Sequence, residues 1–137
     1  RRWYHLHMTK GFTIKQVGDA DNVFTDYPGE MRPLKDALGM EQVAITYRRM
    51  PKHTGSKGGY GHRHTRQEEV VYVISGTLQV KLDDEIHELR PNSLVRIEPQ
   101  VARGLWNEYD EDVELLIISN RDDADEFERV SEFWPED

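Results

Sequence analysis

A chain of 137 residues with a net charge of −8 and no cysteine suits one domain with one core, and excludes disulfides and thiolate metal sites. The charge is lopsided: residues 108–137 hold 13 acidic and 2 basic side chains, giving −11, whereas residues 1–107 hold 13 and 16, giving +3. An acidic surface repels phosphate, so nucleic acid is a poor partner, and no apolar run approaches the ~18 residues of a membrane span.

Cysteine-free composition suits a reducing cytoplasm, and no apolar stretch near the N-terminus reads as a secretory signal, so a cytoplasmic protein is expected. Met8 reads as a natural start. Residues 1–7, "RRWYHLH", then read as an appended tail, and His5 and His7 go with it. Residues 8–41 form an N-terminal arm. Its segment "EMRPLKDALG" predicts one short helix, with Pro33 in the first turn, Leu34 and Leu38 as i,i+4 neighbours and Gly39 closing it.

Residues 42–119 alternate with period two. Val43, Ile45 and Tyr47 fall on one face of a first strand. "EVVYVIS", "TLQVKL", "SLVRIE" and "VELLIIS" follow, separated by the turn signals Ser75-Gly76, Asp83-Asp84, Pro91-Asn92 and Pro99-Gln100. Short strands at this spacing predict an all-β sandwich or barrel. "VELLIIS" is apolar on both faces, which predicts cover from a C-terminal helix or from a second copy, hence a homodimer joined through sheets. Residues 120–137 predict that acidic C-terminal helix. Asp122 or Asp123 caps it, Phe127, Val130 and Trp134 make one stripe, and Pro135 stops it.

The chemistry concentrates in "HRHTRQEEVVYVISG", residues 62–76. On a strand, His62 and His64 share a face, and a turn can return Glu69 towards them. Two imidazoles and one carboxylate with open positions suit Fe(II), and also Mn, Ni or Zn. The alternative is a pair of polar side chains lining a pocket. His53 in a glycine-rich loop and His87 near a turn are expected at the surface. Arg48, Arg66, Arg90 and Arg96 are expected to face solvent.

This segment resembles the first motif of the cupin superfamily: His-x-His, a glutamate, six residues and a glycine, with Glu69 and Gly76 in register and Glu68 as outward neighbour. "LRPNSLVRIEPQVARGLWN", residues 89–107, resembles the second motif in its strand layout. It has lost that motif's glycines, and Arg103 stands where the motif's histidine usually does, with Asn107 at the asparagine position. The resemblance covers roughly residues 42–119. It implies a jelly-roll barrel, the double-stranded β-helix, holding a divalent metal on His62, His64 and Glu69. It also implies a ligand that is a small anionic molecule or a sugar. Arg103, Asn107 and Tyr60 are the ligand-contact candidates, and Glu68 and Arg103 are the catalytic candidates. Family activities include dioxygenation and isomerisation, and a metal-free, non-catalytic binding module is the alternative; fold alone names no reaction.

Arg103 raises the main question. A guanidinium about 5 Å from a divalent ion, at an effective dielectric of about 20, is repelled by about 7 kcal/mol. Three outcomes are open: Arg103 swings outward, it bridges to an anionic substrate, or it pairs with Glu69 in place of the metal.

Overall fold

The computed structural model describes residues 11–137; residues 1–10, including the expected tail and Met8, lie outside the described residues. A single 3₁₀ turn, Val17–Asp19, precedes β1 (Glu30–Pro33) and the one-turn helix α1 (Lys35–Leu38). Gly39 closes that turn in the left-handed region at φ 67°, as expected, but Pro33 ends a strand instead of opening the helix. Then come β2 (Val43–Met50), β3 (Gly59–His64), β4 (Glu69–Ser75), β5 (Leu78–Leu82) and β6 (Glu85–Leu89). The chain continues through β7 (Leu94–Ile97), β8 (Arg103–Trp106), β9 (Val113–Asn120) and β10 (Phe127–Trp134).

These strands form two five-stranded antiparallel sheets, ordered β1-β2-β9-β4-β7 and β10-β3-β8-β5-β6. The inner faces meet in a core of Met50, Val71, Val73, Leu78, Val80, Ile97, Leu105, Val113 and Leu115. Alternation produces this core: Val71 and Val73 on β4 and Leu78 and Val80 on β5 point inward, with polar or partly exposed neighbours between them. Gly76 turns β4 into β5 at φ 77°, and a Cβ there would collide with the Asp112 carbonyl and lie 2.9 Å from Val113 Cα. That steric demand explains the glycine.

Two expectations are corrected. Residues 127–134 are not a helix but the strand β10. It pairs antiparallel with β3, Phe127 opposite His64 and Arg129 opposite His62. The i, i+3, i+7 stripe is real as spacing, yet β3 would otherwise be an open sheet edge, and pairing its backbone wins over local helical pattern. Beyond a bulge, Phe133 and Trp134 pack with Ala102, Trp106 and Val130 in a second apolar cluster. On β2, the regular set Val43, Ile45 and Tyr47 lies on the outer face. Met50 is buried in the core, and Arg48, expected to face solvent, shares its inward parity and lines the space between the sheets, because strand alternation puts it on the same face as Met50.

Candidate metal centre

Strand β3 delivers both histidines to the interior side of its sheet, with ring centroids 5.0 Å apart and nearly perpendicular. The chain then crosses to the facing sheet, where Glu69 opens β4. Ligand atoms of His62, His64 and Glu69 all lie within 4.8 Å of one another. Metal–ligand bonds of about 2.1 Å put neighbouring donors about 3 Å apart, so a small inward movement suffices to close on an ion. His64 Nε2 and Glu69 Oε2 are already 3.4 Å apart.

The tautomer of His64 follows from Asp125, which the sequence analysis does not single out. Asp125, in the loop before β10, sets its Oδ2 2.7 Å from His64 Nδ1. A carboxylate only accepts, so Nδ1 carries the proton and donates it. Asp125 is itself fixed, because its Oδ1 accepts from the backbone amides of Arg66 and Gln67 at 2.7 and 2.8 Å. Burial pushes the Asp125 carboxyl up, but these hydrogen bonds outweigh it and hold the group below the usual range. His64 Nε2 is left buried, without a protein hydrogen-bond partner, aimed at Glu69. An imidazole oriented by a carboxylate on one nitrogen, with the other nitrogen bare and buried, is the arrangement that metal-bound histidines adopt. The donor set therefore fits a divalent ion.

Protonation differs between the two rings. Glu69, and then Asp125, hold the His64 pKa above its ordinary value. Burial pushes His62 down to about 4, so its lone pair is available at neutral pH. Phe127 stacks on His62 with centroids 4.5 Å apart and shields it.

Arg103 takes the third of its open outcomes in part. It is only 2% exposed, and its Nη1 donates to Glu69 Oε1 at 2.8 Å. Nε donates to the Val101 carbonyl, and Nη2 to those of Glu98 and Pro99. Four of its five N–H groups are thereby used on the protein itself. Its cation sits on one oxygen of Glu69 and leaves Oε2 turned to His64. Burial raises the Glu69 carboxyl, yet His64 and Arg103 together hold it below the usual range.

The other site candidates separate. Tyr60 lines the interior cavity, and the Arg129 guanidinium lies 3.8 Å over its ring. Glu68 does not enter the cavity: it points outward and pairs with Arg96 at 2.7 Å, because it alternates with inward-facing Glu69. Asn107 is fully buried outside the cavity. Its amide donates to the Met50 and Glu111 carbonyls and its oxygen accepts from Tyr109 N–H, so it holds a loop. His53 and His87 are exposed, paired with Glu108 and Glu85.

The cavity between the sheets has a volume of about 560 Å³. His62, Glu69 and Arg103 mark one part of its wall. Phe24, Tyr27 and Met31 of the N-terminal arm mark another, and Arg48 reaches it from β2. A two-sheet antiparallel barrel with a clustered His-His-Glu set facing an internal cavity defines a class of small barrel proteins with a candidate metal centre.

The comparisons place the chain within that class. The cupin domain model matches residues 48–119, and the chain belongs to this family. No curated protein sequence matches. Among solved structures, a putative sugar phosphate isomerase from Acidithiobacillus ferrooxidans is 26% identical with a TM-score of 0.63. That match covers 71% of this chain and 62% of the other, so this chain spans less than two thirds of that protein. A sugar phosphate isomerase of the cupin superfamily from Silicibacter pomeroyi aligns over 91% of this chain and 97% of its own, at 18% identity and a TM-score of 0.71. A polyketide cyclase from Streptomyces resistomycificus aligns over 88% of both chains at 16% identity and a TM-score of 0.71. The last two likenesses concern the fold.

Proposed function

We propose that this cupin holds one divalent ion on His62, His64 and Glu69 and isomerises a small anionic hydroxycarbonyl compound, of the sugar phosphate kind. The observation that carries the metal is the buried, unpartnered His64 Nε2, fixed by Asp125 and facing Glu69. The reaction class takes support from the printed names of two similar structures. Isomerisation moves a proton from the hydroxyl-bearing carbon to the adjacent carbonyl carbon and the hydroxyl proton to the former carbonyl oxygen, and consumes no co-reactant. His62, His64 and Glu69 would hold the ion, which would supply Lewis-acid polarisation of the carbonyl oxygen. The protein's part is to hold the substrate in a largely apolar pocket and keep water from the reacting carbons.

One observation favours a second reading. Among the described residues, apart from the triad and two arginines, the titratable groups lining the cavity are the phenols of Tyr27 and Tyr60, with no further carboxylate or imidazole as a base. A module that binds without turnover fits that scarcity. Deuterium wash-in separates the readings. Metal-loaded protein is mixed in D₂O with a panel of short sugar phosphates, and carbon-bound deuterium is followed by NMR. Wash-in beside the carbonyl supports isomerisation. Oxygen uptake without wash-in points to dioxygenation, and ligand-induced thermal stabilisation with neither signal points to the binding module.

A pairing of two copies is the matching proposal for the outer face of the first sheet, where Ile45, Tyr47, Leu116 and Ile118 are opposed across β2 and β9 and Val43 and Leu94 are exposed. Sedimentation at micromolar concentration reads it directly: a dimer is expected, and a monomer overturns it.

A further inference from the structure

Among the described residues, two buried side-chain nitrogens lack a protein hydrogen-bond partner: His64 Nε2, assigned above, and Arg48 Nε. Arg48 sits on the inward parity of β2, opposite core residue Leu115 and two residues before core residue Met50. Arg32, Arg49, Arg66, Arg96, Arg103 and Arg121 each meet a carboxylate within ion-pair distance. Arg48 meets none among the described residues. What surrounds it is aromatic: its guanidinium carbon lies 5.5 Å from the Phe24 ring centroid, and Tyr27 and Tyr60 share the same cavity wall.

We propose that Arg48, and not Arg103, is the anion-recognising residue of the cavity, and that it binds the phosphate or carboxylate end of the ligand whose other end faces His62, His64 and Glu69.

Three considerations lead there. A guanidinium keeps its charge at any ordinary pH, and Arg48, half-buried with its Nε fully enclosed, holds that charge with no carboxylate partner among the described residues, an arrangement that costs stability. Burial pulls the Arg48 pKa down, the direction expected of a cation short of counter-charge. An incoming oxyanion relieves that cost and receives paired, planar donors. Arg103 offers no comparable fork, since four of its five N–H groups are committed to Glu69 and three carbonyls. Position completes the argument. From Arg48 to Glu69 the path crosses two strands, β2 to β9 to β4, and shifts four residues in register, from Leu115 to Ser119. Strand spacings of about 4.8 Å and 3.3 Å per residue put the two Cα atoms about 16 Å apart. The cavity touches both side chains, so one ligand can engage Arg48 and the metal-facing triad together. A cavity of about 560 Å³ is ample for such a small molecule.

The inference deepens the metal-centred reading and shares its cavity, but its test needs no metal. Metal-free protein labelled with ¹⁵N is titrated with inorganic phosphate while the arginine Nε–H resonances are followed. The expected result is a saturable shift of the Arg48 Nε–H signal, identified by its disappearance in Arg48→Lys. At least tenfold weaker phosphate binding is expected in Arg48→Gln, with Mn(II) affinity unchanged within about twofold. An unmoved Arg48 signal at saturating phosphate overturns the proposal with no variant required. So does an Arg48→Gln protein that binds phosphate like the parent, or a shift confined to Arg103. Loss of Mn(II) binding by the parent protein would instead remove the metal reading and leave the Arg48 result standing.

Discussion

Asp125 Oδ2 stands 2.7 Å from His64 Nδ1 across sixty-one residues of sequence. The relationship ties the loop before β10 to the C-terminal end of β3 and decides which nitrogen of His64 faces Glu69. Removing it frees the ring to rotate and to change tautomer. Asp125→Asn is expected to weaken metal affinity by about 10–100-fold, the usual cost of losing such a partner. Isothermal titration with Mn(II) or Zn(II) checks this. Affinity equal to the parent's would show that the carboxylate does not orient the ligand.

Arg103 acts on stability and on metal affinity in opposite directions. It joins Glu69 to the carbonyls of Glu98, Pro99 and Val101 in a buried position. Arg103→Met strands the Glu69 carboxylate in the metal-free protein, for a loss of about 3 kcal/mol in urea unfolding. The same substitution removes a cation from beside the ion, so metal is expected to bind more tightly. A variant that loses stability and metal affinity together would contradict this division.

The two histidines predict an optimum in pH. His64 has a folded pKa above its unfolded value near 6.5. Its contribution is fully present below that value and is lost as pH rises through the folded pKa. His62 is depressed to about 4, so between about 6.5 and 4 the unfolded state takes up a proton that the folded ring refuses, and stability falls as pH falls. Asp125 and Glu69, both lowered, lose their contributions further down, as acid protonates them. Metal-free protein should therefore show its highest urea midpoint near pH 6.5. Imidazole NMR should find His62 neutral down to about pH 4 and His64 protonated above 6.5. The reverse order of titration would refute the assignment.

Gly61, between Tyr60 and His62, tests packing beside the site. A Cβ there would strike the Phe133 ring and come within 2.6 Å of the Arg103 carbonyl. Gly61→Ala is expected to cost about 1–3 kcal/mol by overpacking. It should also disturb the rings of His62 and His64, visible as shifted imidazole resonances. An unchanged melting temperature would mean that β3 and β10 separate easily.

The legible parts of the sequence were those where period two is local and unambiguous. His62, His64 and Glu69 follow from side-chain alternation plus one turn, and the strands around "VVYV" and "LQVKL" carry their inner faces openly. Residues 127–134 misled because "FERVSEFW" satisfies a helical stripe, and only the unpaired edge of β3, a tertiary fact, selects the strand. Arg48 is misplaced by its charge, which suggests a solvent face, whereas its parity with Met50 turns it inward and Val43, Ile45 and Tyr47 outward. The role of Asp125 had no local signal, since an acid near a presumed helix start looks like a cap. Only the pairing of β10 with β3 brings its loop to His64. Asn107 was read from its position in a motif, and its burial against backbone groups assigns it to the loop.

The most direct measurement is pulsed EPR on the Mn(II)-loaded protein, which detects nitrogen nuclei bound to the ion. Two imidazole couplings are expected, one vanishing in His62→Gln and the other in His64→Gln. A spectrum without nitrogen couplings, from protein that has taken up Mn(II), would place the ion elsewhere and contradict the account.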